Sequence, residues 1–281
     1  MKAVETTSAA LTLWFVTVDA PGEVLSQEPK ADRGFGRKYL SQLNPAWPIT
    51  PIGQFPLNRS VPPAAGEFYI AGYPGVTVVE TWREDITFLS DFNRQLLDSL
   101  PARDVYLIAM NEDTGFGGFA HFSGGELRRA FSGTRTHVVE DHGLPNAFEA
   151  PYWAGELHEQ LGGIALPFEP VDLARAAERE WLGVDIAPSG PDLQVVGYAV
   201  DGRPEPKIMA PQRANPLARL MAPRNQDNDS YDDYSREGDA AGRGHDATGL
   251  PAPAQQAART AKRLGLAAAS RAKQLARNFL R

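Results

Sequence analysis

Leu11-Thr12-Leu13-Trp14-Phe15-Val16-Thr17-Val18-Asp19 is the stretch on which the fold turns. It is rich in β-branched and aromatic residues and too short to span a bilayer. Apolar side chains sit at consecutive positions, as in a strand covered on both faces. The stretch therefore predicts a central strand with packed layers on either side. Lys2 ahead of the run gives it the outline of a signal peptide. Glu5 lies in the supposed basic region, however, and Asp19 ends the run without a small-residue cleavage site, so the strand reading is preferred.

Working outward, Gly34 to Leu43 is expected as a short helix ended by Asn44-Pro45, because the residue before a proline resists helical geometry. Ile49–Leu57 reads as extended, and Pro51 and Pro56 place it at an edge. Glu67–Tyr73 and Val76–Trp82 flank Pro74-Gly75 and predict a hairpin. Asp85 to Leu100 carries Ile86, Leu89, Phe92, Leu96 and Leu100 at three- and four-residue spacing behind a capping aspartate, which predicts the best helix of the body. Val105–Met110, Gly118–Phe122 and Leu127–Phe131 follow as strands, with Gly124-Gly125 as a tight turn. Val171–Leu182 is a second amphipathic helix and Leu193–Val200 a last strand. The expected class is α/β to α+β, a mixed, largely antiparallel sheet covered by a few helices, in one domain over residues 1–205.

Residues 206–251 read as an acidic disordered linker. From Asn225 to Gly249 apolar residues are nearly absent and Asp227, Asp229, Asp232, Asp233, Glu237 and Asp239 cluster, so ordering entropy goes uncompensated. Residues 252–281 read as a basic amphipathic helix. Ala257, Ala261, Leu264, Ala268, Ala272, Leu275 and Phe279 share one face, and Arg259, Lys262, Arg263, Lys273 and Arg277 the other. This segment holds seven basic groups and no acid. The remainder holds 21 basic against 35 acidic groups, so the net charge of −7 divides into an acidic body of −14 and a basic end. A body of that sign repels phosphate-rich partners. The expected partners are an unidentified protein or an anionic membrane surface, met through residues 252–281, with nucleic acid ranked below them.

The chain has no cysteine, which excludes disulfides, thiolate metal sites and cysteine nucleophiles and fits the cytoplasm best. Gly34-Phe35-Gly36 and Gly115-Phe116-Gly117-Gly118 lack the lysine of a phosphate loop; the second reads as a close backbone approach or a bulge. His137, Asp141 and His142, with His121 and His158, were they to converge, are the metal candidates, but no two-histidine helical motif is present and Glu140-Asp141 reads as a solvated turn. Ser123-Gly124-Gly125 is a turn, not a hydrolase elbow. Asp19 at a strand end and Glu80 within a strand are candidate general bases. No cofactor is expected.

The densest segment is Phe148-Glu149-Ala150-Pro151-Tyr152-Trp153-Ala154-Gly155-Glu156. Tyr152, Trp153 and Glu156 form a candidate recognition patch. The plainer reading, preferred here, is that the two aromatics plug the sheet edge. Together with Leu166-Pro167-Phe168-Glu169-Pro170, a helix containing Leu173, and Gly125-Glu126-Leu127-Arg128-Arg129, the segment resembles an actinobacterial domain-of-unknown-function family, number 6928, over about residues 10–202. That family reads Leu-Pro-Phe-His-Pro where Glu169 stands here, and Trp181-Leu182-Gly183 departs from its helix end. The resemblance implies lineage and fold and carries no activity with it. The functional expectation is a cytoplasmic, non-enzymatic binding or regulatory domain with a tethered basic helix that can be peripheral at a membrane. The alternatives are a carboxylate- or histidine-dependent hydrolase and an immunity- or inhibitor-type protein.

Overall fold

A computed structural model describes residues 6–159, 162–163 and 165–206. The linker and terminal helix expected beyond residue 206 lie outside the described residues. The chain runs β1 (Thr7–Val16), α1 (Pro21–Leu25), α2 (Phe35–Leu43), β2 (Thr50–Pro56), β3 (Glu67–Tyr73), β4 (Val76–Ile86) and α3 (Arg94–Leu97). It continues with β5 (Asp104–Asn111), β6 (Phe116–Ser123), β7 (Glu126–Thr134), β8 (His137–His142), α4 (Ala150–Trp153), α5 (Pro170–Leu182) and β9 (Gln194–Ala199).

The strands form one sheet in the order β2-β9-β3-β4-β1-β5-β6-β7-β8, with every pairing antiparallel. β1 is the middle strand, and its consecutive apolar residues divide between two layers. Leu11, Leu13 and Phe15 join α2 and residues 89–97 on one face; Trp14 and Val16 join α5 on the other. Alternation of side chains along a strand makes this division automatic. β2, with Pro51 and Pro56, forms one edge, where a missing N–H costs no ladder bond.

Turns fall where backbone freedom is needed. Gly124 and Gly125 have φ of +60° and +81°, the geometry of a two-residue hairpin whose twist matches its strands. Gly117 answers a different demand. A Cβ there would lie 2.2 Å from the Pro170 carbonyl, so the glycine lets the start of α5 touch β6.

Two expectations fail. The helix over 85–100 is replaced by a strand, an irregular segment and the single turn of α3. β4 stays paired with β1 as far as Ile86, and the Glu140 carboxylate accepts hydrogen bonds from the Leu89 and Ser90 N–H groups, bonds a helix would have made internally. Asn93 then caps α3 through Gln95 N at 2.8 Å. The apolar spacing still reports burial, since Leu89, Phe92 and Leu96 all lie in the core. Glu140-Asp141 is also no solvated turn. It lies in strand β8, and Glu140 is buried, also accepting from Ser132 Oγ at 3.2 Å.

Candidate binding site at the ends of β1, β5 and α5

Neighbouring strands place Val18-Asp19, Arg103-Asp104 and His121 at one end of the sheet. β5 pairs with β6 so that Tyr106 faces His121 and Asp104 faces Ser123. Asp104 and His121 lie on the α5 side, where His121 Nε2 stands 2.9 Å from Asp104 Oδ1. Arg103 Nε donates to the other oxygen of Asp104 at 2.7 Å, and its remaining nitrogens reach Asp19 and, at 3.0 Å, the Val18 carbonyl. Burial alone would raise the Asp104 carboxyl, but hydrogen bonds from His121, Arg103 and Ser123 outweigh it and hold the group below the usual carboxylate range. Since the ionised carboxylate has no proton to give, His121 must donate from Nε2.

Over this row lies the last turn of α5. Trp181 stacks on Tyr106 with ring centres 4.9 Å apart and planes at 17°, and meets His121 at 5.4 Å and Phe119 edge-on at 5.5 Å. Burial, with Asp104 next, pushes the Tyr106 phenol up to about 12, so it stays protonated. Gly183, at φ +71°, ends α5 and leaves its carbonyl end beside α1. Gly22 in α1 packs against the Leu182 and Gly183 carbonyls, each 3.0 Å from where a Cβ would stand. Between α1 and α5 opens a cleft of about 550 Å³, walled by Asp19, Glu23, Ser26, Glu180 and Trp181 among others.

The residues singled out in the sequence are not brought to one place. Asp19 is exposed and paired with Arg103. Glu80 lies on β4, where burial first and Glu178 second push its carboxyl up to about 8. Glu178 is itself pushed up to about 7 by burial, although it accepts the Trp14 indole N–H at 2.8 Å. His158 meets Asp172 at 2.9 Å, and His137 and His142 sit at opposite ends of β8. Among the described residues no three His, Asp or Glu groups are placed to hold a metal.

Tyr152 is buried and Trp153 half-buried, while Glu156 is exposed. Trp153 packs edge-on against Phe131 and Phe168, and its indole donates to Glu149 Oε2 at 3.2 Å. Glu149 is wholly buried and takes Arg129 in a two-pronged pair, at 3.0 and 2.7 Å. Arg129, also buried, binds Asp141 and the His142 carbonyl, and its guanidinium lies 5.8 Å from the Phe119 ring centre. Sequence reasoning missed Arg103, Asp104 and Trp181. The one legible signal was Trp181 on the apolar face of a predicted helix; the meeting of Asp104 with His121 depends on strand register.

No helix among the described residues is long and apolar enough to cross a membrane. Neither a curated protein nor a solved structure matches the chain. The model of a family of unknown function, DUF6928, matches residues 10–198, from the middle of β1 into β9, and the chain belongs to that family.

Proposed function

We propose that the chain is a binding domain that takes a small organic cation in the cleft between α1 and the end of α5. The observation that carries this reading is the lining of that cleft, which combines Asp19, Glu23 and Glu180 with Trp181 at the carbonyl end of a helix. Carboxylates and helix C-termini favour positive charge, and an indole face adds about 0.5–2 kcal/mol for a cation laid on it. Arg103 is committed to Asp19 and Asp104, and no ion pair engages Glu23 or Glu180 among the described residues. The volume falls within the roughly 300–1,000 Å³ usual for small-molecule sites. The acidic body concentrates cations around it.

Titration of the full chain with a quaternary ammonium, a guanidinium compound and an uncharged isostere, followed by calorimetry, tests the reading. The cations bind, the isostere does not, and Glu180→Gln and Trp181→Leu each weaken binding. Equal binding of the isostere, or affinity unchanged in both variants, overturns it.

A second reading rests on His121. A histidine held by a carboxylate at one ring nitrogen is the arrangement of an oriented acid–base group, which supports the acid–base alternative. Turnover of an ester or amide panel that His121→Gln abolishes would favour it. For residues 252–281 we propose, on charge alone, weak contact with anionic surfaces, with a cytoplasmic or membrane-peripheral setting to match.

A further inference from the structure

The face of the sheet opposite α5 carries a groove of different chemistry, between α2 and the segment containing α3. Two cavities adjoin there, of about 200 Å³ and about 150 Å³. Leu43 and Gln95 line both, and the Gln95 Nε2 donates to the Leu43 carbonyl at 3.1 Å, so this one hydrogen bond stands between the two. Around it the lining is a set of neutral polar groups: the amides of Gln42, Asn44, Asn93 and Gln95, together with Tyr39, Ser99 and Thr81, whose hydroxyls bond to one another or to the Leu96 and Glu67 carbonyls. Trp47 and Phe68 supply an aromatic wall, with ring centres 5.5 Å apart.

Charge is nearly absent from this lining. It contains no carboxylate, and its one cation, Arg83, holds Asp85 in a two-pronged pair at 3.0 and 2.8 Å. A charged ligand would therefore find no free counter-ion in the lining. The amides are also held in place. Asn44 Oδ1 accepts from Ala46 N at 3.0 Å, Asn93 Oδ1 from Gln95 N at 2.8 Å, and Gln95 gives its Nε2 to α2. Each has one half fixed by the backbone and the other half, Nδ2 of Asn44 and Asn93 and Oε1 of Gln95, uncommitted. Such groups form hydrogen bonds to a ligand without first losing rotamer freedom.

We infer that this groove is a binding site for a neutral, polyhydroxylated ligand of the size of a single sugar ring. Vicinal hydroxyls are both donors and acceptors, and fixed amides, offering donors at two positions and an acceptor at a third, complement them in pairs. An aromatic wall accepts the apolar face of a sugar ring, which burial then removes from water. The inference is independent of the cation cleft, which lies on the other face of the sheet.

The test titrates the full chain with glucose, maltose and trehalose, and with glucuronate and glucosamine as charged controls. Binding is read by amide chemical-shift changes, with tryptophan emission as a second signal. A neutral sugar shifts residues of α2 and 93–99, and the charged sugars bind more weakly. Gln42→Ala, an exposed change, and Asn93→Ser, which keeps a capping oxygen, each weaken binding about 3–10-fold, the worth of one lost hydrogen bond. Trp47→Phe removes the emission change but leaves the shift changes. Thermal unfolding of each variant separates loss of the site from loss of the fold. The inference is overturned if no neutral sugar shifts these residues at millimolar concentration. It is equally overturned if glucuronate or glucosamine binds as well as glucose, or if binding survives both polar substitutions in folded protein.

Discussion

At the scale of single residues, the α5 face of the sheet contains two kinds of desolvated carboxyl, and they respond to pH in opposite senses. Glu149 is compensated: burial would raise it, but Arg129, Asn146 and Trp153 hold it below its usual range. Its stabilisation is therefore present above the unfolded-state value and is lost as acid protonates it. Glu149→Gln removes one of the two carboxylates paired with buried Arg129, and chemical denaturation should register a loss of about 3–5 kcal/mol. A loss near zero would mean that the pair is not closed in solution. Glu80 is the reverse case, raised from 4.5 to about 8 by desolvation first and Glu178 second. The unfolded chain releases its proton near 4.5 while the folded chain keeps it to about 8, so this group's contribution worsens as pH climbs between those values and levels off above them. Glu80→Gln should leave stability little changed near pH 4.5 and raise it above pH 8, measured as the urea midpoint at each pH. An equal shift at both would show that the carboxyl ionises normally. Both residues stand plainly in the sequence; their opposite states do not, because each depends on what a distant strand or helix brings beside it.

At the scale of elements, most of the assignment was legible. Strand β1, the β3–β4 hairpin, the Gly124-Gly125 turn, α2 and α5 follow from apolar spacing and turn residues. The segment 85–100 was misread because its spacing truly marks buried positions, while the backbone bonds that a helix would use go instead to Glu140, some 50 residues on. Local pattern reports which side chains go inside; it does not report which partner satisfies the backbone. The contact of α5 with β6 offers an element-scale test. Gly117→Ala sets a methyl 2.2 Å from the Pro170 carbonyl, so α5 must shift, at a cost of about 1–3 kcal/mol. Trp181 rides on the same helix, so its emission should change in that variant. A variant with unchanged Tm and emission would refute the close approach. Trp153→Ala should cost about 3–5 kcal/mol if the indole is an anchor against Phe131 and Phe168. Unchanged stability with loss of a partner would instead make Tyr152, Trp153 and Glu156 a recognition patch.

At the scale of the whole molecule, charge distribution frames the last expectation. Because the proposed attraction of residues 252–281 to anionic surfaces is between exposed charges, it should fade above physiological ionic strength, where the screening length is about 8 Å. Co-sedimentation of the full chain, and of the 252–281 peptide, with anionic and neutral vesicles checks this. Indifference of both to anionic vesicles at low salt would rule out the membrane reading. The sequence by itself determined the class of the fold, the central strand, the charge asymmetry and the family, since each rests on composition, motif or short-range spacing. It also ruled out cysteine chemistry. Only the tertiary structure decided that the sheet is antiparallel throughout with β9 inserted between β2 and β3, that Asp104 meets His121 beneath Trp181, and that the amides of Gln42 and Asn44 come together with those of Asn93 and Gln95. The physical reason is common to all three. Strand order and register are set by contacts between residues tens to more than a hundred positions apart, and no local periodicity encodes which distant partner will supply a hydrogen bond or a charge.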